Sequence, residues 1–91
     1  MDTVRAHVRI RGRVQGVCYR LETQREAEIQ GVAGWVKNKP DGSVEAVFEG
    51  TKERVRRMIR WCEKGPPYSM VAEVDSRWEA PRGETGFRIT Y

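Results

Sequence analysis

Residues 12–20, GRVQGVCYR, combine residue types that are suited to binding a phosphate group. Gly16 allows the backbone to take a positive φ or to come very close to a ligand. If a helix begins near Arg20, its first N–H groups lack intrahelical partners and attract an anion together with the helix dipole. The Arg20 guanidinium can add a charge-assisted contact to two oxygens. Taken alone, the segment is also typical of a tight loop whose arginine pairs with a nearby carboxylate.

Asn38 is the second residue whose type and position suggest chemistry. It lies in residues 34–42, GWVKNKPDG, just before a Pro-Asp-Gly turn. A neutral amide can accept a hydrogen bond from water and orient the water without being protonated itself. An asparagine in this position is also a common turn residue that hydrogen-bonds local backbone. The residues by themselves leave both interpretations open.

The other reactive residue types do not suggest a second site. His7 is the one histidine and is predicted on the polar face of a strand, without the partners that a metal site needs. Cys18 and Cys62 are too few and too far apart for a disulfide framework or a metal site, so both are predicted to be free thiols. Packing in the core or on a sheet face is predicted for the tryptophans, Trp35, Trp61 and Trp78.

Length and composition predict one globular domain over residues 1–91. Hydrophobic residues make up 38% and charged residues 33%, and they are interspersed, which argues against disorder. The net charge of +4 attracts anions but does not choose among phosphorylated metabolites, nucleic acid and membrane surfaces. No apolar run reaches the roughly 20 residues of a membrane span, and no targeting pattern is visible. We therefore expect a cytoplasmic protein without a membrane partner.

The hydrophobic pattern predicts the element order β-α-β-β-α-β with a short trailing strand. The predicted elements are strand 4–12, helix 20–30, strands 32–39 and 43–49, a helix from residue 52 that ends before Gly65, strand 70–79 and strand 87–91. This order is that of the ferredoxin-like α+β sandwich, in which two helices cover one face of an antiparallel sheet. Fold alone does not determine function.

The predicted helices carry their own packing and end signals. In the first, Tyr19, Thr23 and Ala27 form a row at spacing four, and Gly31 is the predicted stop. In the second, which Thr51 is predicted to cap, apolar residues recur at helical spacing and arginines point mostly outward. The apolar positions of the second helix are Val55, Met58, Ile59 and Cys62.

Read together, GRVQGVCYR and the later AEIQGVAGWVKNKPDGSVEAVFEG strongly resemble the acylphosphatase family. The shared pattern is a VQGV loop, an aromatic-arginine pair, a GWV segment, an asparagine and a DG turn. The likeness continues through residues 65–67, GPP, and 87–89, FRI, so it covers essentially the whole chain. A match of several motifs in order and at the family's spacing is highly specific.

The resemblance implies hydrolysis of acyl phosphates to a carboxylate and inorganic phosphate, without a metal or other cofactor. It implies that the Arg20 side chain binds the phosphate and that Asn38 positions the attacking water. The implied phosphate cradle consists of the backbone amides of Gln15, Gly16, Val17, Cys18, Tyr19 and Arg20. The expected partners are a small-molecule acyl phosphate and, as anion ligands, inorganic phosphate or sulfate. We expect a monomer.

Two positions depart from the family pattern. Cys18 stands where an aromatic residue or glycine is frequent, and Gln30 stands where leucine is usual. A thiol at a helix start can have a lowered pKa and become oxidisable or nucleophilic. The alternative, which we favour, is a small side chain packed beside the loop. Gln30 affects packing only.

Two rival functions remain to be weighed. RNA-binding domains of the RRM type share the βαββαβ order and stack bases on sheet aromatics. The corresponding third strand here carries Glu45 and Glu49, which disfavours nucleic acid as a partner. A regulatory anion binder that has lost turnover is the other rival, and the intact Arg20 and Asn38 argue against it.

Overall fold

The computed structural model describes residues 2–91, so Met1, which we include in the predicted domain, lies outside the described residues. The elements are β1 (Thr3–Arg13), α1 (Tyr19–Gln30), β2 (Ala33–Asn38), β3 (Val44–Thr51), α2 (Lys52–Lys64), β4 (Met70–Glu79) and β5 (Phe87–Ile89). The predicted element order is confirmed, and β4 has the predicted bounds. None of the helices in the described residues is long and apolar enough to cross a membrane.

The strands form one five-stranded sheet in the order β4-β1-β3-β2-β5. β1 is antiparallel to β3 and β4, and β2 is antiparallel to β3, as the ferredoxin-like fold requires. β5, however, is parallel to β2, with Trp35 opposite Arg88, so the sheet is mixed. The parallel pairing follows from the strand directions. Because β4 runs opposite to β2, β4 ends at the end of the sheet where β2 begins. The chain crosses this end of the sheet, and β5 then runs beside β2 in the same direction.

The hydrophobic core lies between the sheet and the two helices. The residues of α1 that are buried are the predicted row, Tyr19, Thr23 and Ala27. Those of α2 are Val55, Met58 and Cys62, whereas Ile59 is only partly buried. The sheet contributes Ala6, Val8, Ile10, Val36, Val44, Ala46 and Phe48, which are all nearly inaccessible to solvent. The period of two in the strands and the helical spacing therefore predicted the core faces correctly.

A hydrogen bond between side chain and backbone joins the two helices. The Tyr19 hydroxyl donates to the Cys62 carbonyl at 2.8 Å. This carbonyl belongs to the last turn of α2, where carbonyl groups lack intrahelical partners. Burial raises the pKa of Tyr19 well above its ordinary value and that of the Cys62 thiol to about 12. Both groups are therefore neutral at physiological pH and act as packing residues.

The predicted helix ends are confirmed. Gly31 has φ 74°, and its N–H donates to the Ala27 carbonyl, which ends α1. The Thr51 hydroxyl accepts a hydrogen bond from the Arg54 N–H at 3.3 Å and caps α2.

Arg5 departs from the simple alternation of β1, because it lies on the polar face and yet is only 2% exposed. Its guanidinium donates to Glu49 at 2.7 Å, to Glu84 at 3.0 Å and to Glu79 at 3.1 Å. A buried guanidinium requires such partners, since an unpaired buried charge is very costly.

Glu49 also holds the loop that leads into β5. Its carboxylate accepts hydrogen bonds from the N–H groups of Arg82, Gly83 and Glu84 at 2.8, 3.2 and 3.0 Å. Burial acts to raise the pKa of Glu49, but the hydrogen bonds from the Arg82 N–H and the Arg5 side chain outweigh it and leave the pKa lowered. The charged carboxylate thus fixes residues 82–84 against the sheet.

Candidate active site

Three strands bring the predicted site residues to one edge of the sheet. β1 and β2 are each antiparallel to β3, and β5 is parallel to β2, so all three run in the same direction. The last residues of these strands, Arg13, Asn38 and Ile89, therefore lie at the same edge. The loop of residues 14–18 and the start of α1 follow directly after β1 at this edge.

An open cavity of about 360 Å³ lies between these segments. Arg20 and Asn38 both line it, together with Gly16, Cys18 and Tyr19 of the predicted phosphate cradle. The other lining residues are Val14, Leu21, Ile89 and Tyr91. Gln15 and Val17 belong to the predicted cradle but do not line the cavity.

The loop before α1 has an unusual backbone. Gly16 has φ 74°, and a Cβ added there would meet no atom within 4 Å. Cys18 has φ 62° and is the one non-glycine residue with positive φ in the part of the chain that the structure describes. Its side chain is exposed, so our expectation of a thiol packed beside the loop is wrong. The left-handed backbone of Cys18 stands at the N-cap position, directly before α1 begins at Tyr19.

The amide groups of this loop are free to bind a ligand. Within residues 2–91, none of the N–H groups of residues 15–20 donates a hydrogen bond to another group of the protein. The first turn of α1 accounts for part of this set, because its N–H groups have no intrahelical acceptor. Free N–H groups beside the positive end of a helix dipole favour an anion.

Arg20 contacts an aromatic ring rather than a carboxylate. Its Cζ lies 5.2 Å from the centre of the Tyr91 ring, which is a cation–π distance. Among the described residues, no carboxylate lies within ion-pair distance of Arg20. The interpretation that Arg20 forms a structural ion pair is therefore wrong. The charge of the Arg20 guanidinium is available to a ligand.

The Asn38 side chain has an unsatisfied acceptor. Its Oδ1 is buried and has no hydrogen-bond partner among residues 2–91. A buried polar atom without a partner costs about 1–3 kcal/mol, and such atoms in proteins usually bind water or serve a function. The alternative of an asparagine whose Oδ1 bonds the local backbone of the turn is not observed.

Gln15 has a role that the sequence did not reveal. Its side-chain Nε2 donates to the carbonyls of Lys39 and Ser43 at 2.8 and 2.9 Å. These carbonyls flank the turn that directly follows Asn38 in the chain. Gln15 thus ties the loop before α1 to the turn after β2, and no local pattern in the sequence signals a contact between them.

His7 lies away from this cavity, on the open face of the sheet. Its ring nitrogens bond Glu45 at 2.5 Å and Glu79 at 3.0 Å. Within the described residues, no group of three or more His, Cys, Asp or Glu side chains is arranged to hold a metal ion.

A family model described as Acylphosphatase matches residues 6–89. The chain belongs to the acylphosphatase family. The acylphosphatase of Thermococcus kodakarensis is 54% identical over 98% of both chains. That of Syntrophobacter fumaroxidans is 55% identical over 100% of this chain and 95% of its own. The crystal structure of the acylphosphatase from Bacillus subtilis matches with a TM-score of 0.94 at 34% identity, covering 97% of this chain and 99% of that one.

Membership establishes the reaction class. Acylphosphatases hydrolyse acyl phosphates, so this chain is a hydrolase that acts on small acyl phosphates. The family, fold and activity predicted from the sequence are therefore confirmed.

Proposed function

We propose that the chain hydrolyses acyl phosphates by in-line attack of a water held by Asn38 on a phosphate held by Arg20 and the loop amides. The cradle in this proposal comprises the backbone N–H groups of Gln15, Gly16, Val17, Cys18, Tyr19 and Arg20. The observation that carries the proposal is the buried Oδ1 of Asn38, which has no hydrogen-bond partner among residues 2–91, in a residue that lines the same cavity as Arg20.

Phosphate binding in this scheme is mainly electrostatic. The free amides of residues 15–20 and the positive end of the α1 dipole face the phosphate oxygens. Arg20 adds a planar guanidinium that can bind two of these oxygens at once. In a partly enclosed cavity, such fixed donors stabilise the charge that develops on the equatorial oxygens in the transition state.

Water activation requires no strong base in this scheme. The Asn38 Oδ1 accepts one O–H of the water and leaves a lone pair directed at phosphorus. The new P–O bond forms as the P–O bond to the acyl group breaks, and the carboxylate leaves with the electron pair. A phosphate oxygen takes the proton from the water. Because a carboxylate is a good leaving group, positioning and charge stabilisation can supply the rate enhancement without a metal.

Replacement of either side chain should impair the chemical step. We expect Arg20→Ala and Asn38→Ala each to lower kcat about 100-fold, which corresponds to about 3 kcal/mol. Arg20→Lys should be no more active than Arg20→Ala, because the lysine ammonium is a point charge and cannot bind two oxygens as the planar guanidinium does. Hydrolysis of benzoyl phosphate, followed by ultraviolet absorbance, measures these effects.

Arg25→Ala is the matched control, because Arg25 is an exposed arginine of the same helix that pairs with Glu22. Turnover of both alanine variants at the rate of this control would contradict the assignment of Arg20 and Asn38. A strong loss of wild-type activity with a chelator would contradict the metal-free mechanism.

The remaining expectations about partners belong to the same proposal. Inorganic phosphate and sulfate should inhibit competitively, since both present the tetrahedral oxyanion that the cradle binds.

All strands share one sheet, which supports a single domain over residues 1–91. Sedimentation should show a monomer. RNA should not bind in a salt titration, because the carboxylates of Glu45 and Glu49 on the open sheet face repel phosphates, and Arg5 of that face is already paired with Glu49. The cytoplasmic location stays a prediction.

A further inference from the structure

We propose that one side of the cavity, formed by Leu21 and Tyr91, is an acyl-binding surface that makes uncharged, apolar acyl phosphates the preferred substrates. This proposal rests on the function proposed above and extends it to the substrate class. It concerns the part of the substrate that Arg20 and the loop amides do not hold.

Leu21 and Tyr91 are large residues that expose apolar surface to solvent. Leu21 is 42% exposed and Tyr91 is 98% exposed, and both line the cavity that contains Arg20 and Asn38. Single exposed apolar residues are common on protein surfaces, but apolar residues that line one cavity together with a few polar groups are typical of a ligand-binding site. Ile89, which is partly buried against the core, also lines the cavity.

The position of Tyr91 places this surface next to the phosphate. The Arg20 guanidinium lies over the Tyr91 ring at 5.2 Å, so the group proposed to hold the phosphate is adjacent to the ring. In an acyl phosphate, a single bridging oxygen separates phosphorus from the acyl carbon. An acyl group attached to a phosphate at Arg20 therefore lies within reach of Tyr91 and Leu21.

The size and charge of the cavity favour an apolar acyl group. The cavity has a volume of about 360 Å³. A water molecule occupies about 30 Å³, so a phosphate group fills only part of this cavity. Among the described residues that line the cavity, Arg20 is the one Arg, Lys, His, Asp or Glu. Once the phosphate occupies it, a second negative charge on the substrate finds no cation in the lining. An apolar acyl group instead gains from removal of its surface from water.

The test is the specificity ratio, which is kcat/KM for benzoyl phosphate divided by kcat/KM for acetyl phosphate. Any loss that both substrates share, including a disturbance of Arg20 when Tyr91 is removed, cancels in this ratio. We expect Leu21→Ala to lower the ratio about 3-fold and the double variant Leu21→Ala, Tyr91→Ala about 10-fold, in the range that apolar pockets achieve. Competitive inhibition by inorganic phosphate should change less than 2-fold in Leu21→Ala.

Ile29→Ala and Tyr68→Ala are matched controls. Ile29 is an exposed apolar residue of the same helix as Leu21, 77% exposed, and Tyr68 is an 83% exposed tyrosine; neither lines the cavity. The ratio should stay unchanged in both controls. Leu21→Lys should raise kcat/KM for succinyl phosphate relative to benzoyl phosphate, because it supplies the missing second cation.

The outcomes separate this proposal from the one on which it rests. Hydrolysis of both substrates with the same ratio in the wild type, Leu21→Ala and the double variant would overturn the acyl-binding surface alone. An equal fall of the ratio in Ile29→Ala would overturn it as well. If the wild type hydrolyses neither acyl phosphate, the proposed function fails and the acyl-binding surface fails with it.

Discussion

At the scale of single residues, the candidate site depends on groups that the fold leaves unpaired. Arg20 has no carboxylate partner and Asn38 Oδ1 has no hydrogen-bond donor within the described residues. Most buried polar atoms in proteins are satisfied, because an unmet hydrogen bond costs free energy of folding. A ligand that supplies hydrogen-bond or charge partners to these groups therefore gains more binding free energy here than at groups that are already paired.

Substitution of Gly16 tests whether phosphate binding requires the space beside the loop backbone to be free of a side chain. Gly16→Ala places a methyl group where no atom lies within 4 Å, at a φ of 74° that costs an alanine about 1 kcal/mol. We expect the protein to fold with a slightly lower Tm, and we expect KM for benzoyl phosphate to rise at least 5-fold because the methyl group lies beside the cradle. Thermal denaturation and steady-state kinetics measure the two effects.

Gly86→Ala provides the comparison for this experiment. Gly86 has φ 67° and equally open surroundings, but it precedes β5 and does not line the cavity. It should show a similar fall in Tm with unchanged KM. An equal rise of KM in both variants would mean that loss of stability, and not the cradle, explains the result.

At the scale of elements, the site needs the loop before α1 and the turn after β2 to be held in one arrangement. Gln15 provides this link through the carbonyls of Lys39 and Ser43. We expect Gln15→Ala to lower kcat about 10-fold with a smaller change in KM, because Arg20 and Asn38 lose their relative position. The free energy of unfolding should fall by about 1–2 kcal/mol. Kinetics together with urea denaturation separate the two quantities.

Gln30→Ala is the control, because the Gln30 side chain bonds Glu26 within α1, away from the cavity. Its kcat should equal that of the wild type. Wild-type kcat in Gln15→Ala would show that the link is dispensable for catalysis.

A second element-scale link holds the loop before β5. Glu49 accepts hydrogen bonds from Arg5 and from the N–H groups of residues 82–84. We expect Glu49→Gln to lower the free energy of unfolding by about 3 kcal/mol, because it leaves a buried guanidinium with fewer partners. Urea denaturation measures this loss. A change below about 0.5 kcal/mol would show that Glu79 and Glu84 suffice to hold Arg5.

At the scale of the whole molecule, the carboxylates of the open sheet face predict the response to acid. The pKa of Glu49 is lowered, as described, and hydrogen bonds from His7 and Arg5 lower that of Glu79. A pKa that is lower in the folded protein adds stability above the pKa of the unfolded chain, about 4.3 for glutamate. This stability is lost as the pH falls from about 5 through the lowered pKa.

We therefore expect the urea midpoint to be constant between pH 5 and 7 and to fall below pH 5. In Glu49→Gln, the fall should be smaller, because one of the groups that takes up a proton on unfolding has been removed. Urea titrations at several pH values between 3 and 7 test this. An identical fall in both proteins would show that Glu49 does not contribute to the acid sensitivity.

Local patterns in the sequence predicted the order of the elements, the core faces and the family. Alternation in β1 and the spacing of Tyr19, Thr23 and Ala27 are local consequences of strand and helix geometry, so they can be read without knowledge of the fold. The end signals at Gly31 and Thr51 are equally local. The motifs around Arg20 and Asn38 identified the family because their order and spacing are specific.

The contacts between residues that are far apart in the sequence depend on the tertiary structure. Arg5 is buried because Glu49, 44 positions away, and the loop before β5 come to it. Gln15 reaches carbonyls that are 24 and 28 positions away, and Tyr91 reaches Arg20 from the other end of the chain. The parallel pairing of β5 depends on the path of the chain around the sheet. Each follows from how the strands are ordered in space, and local residue patterns carry no information about that order.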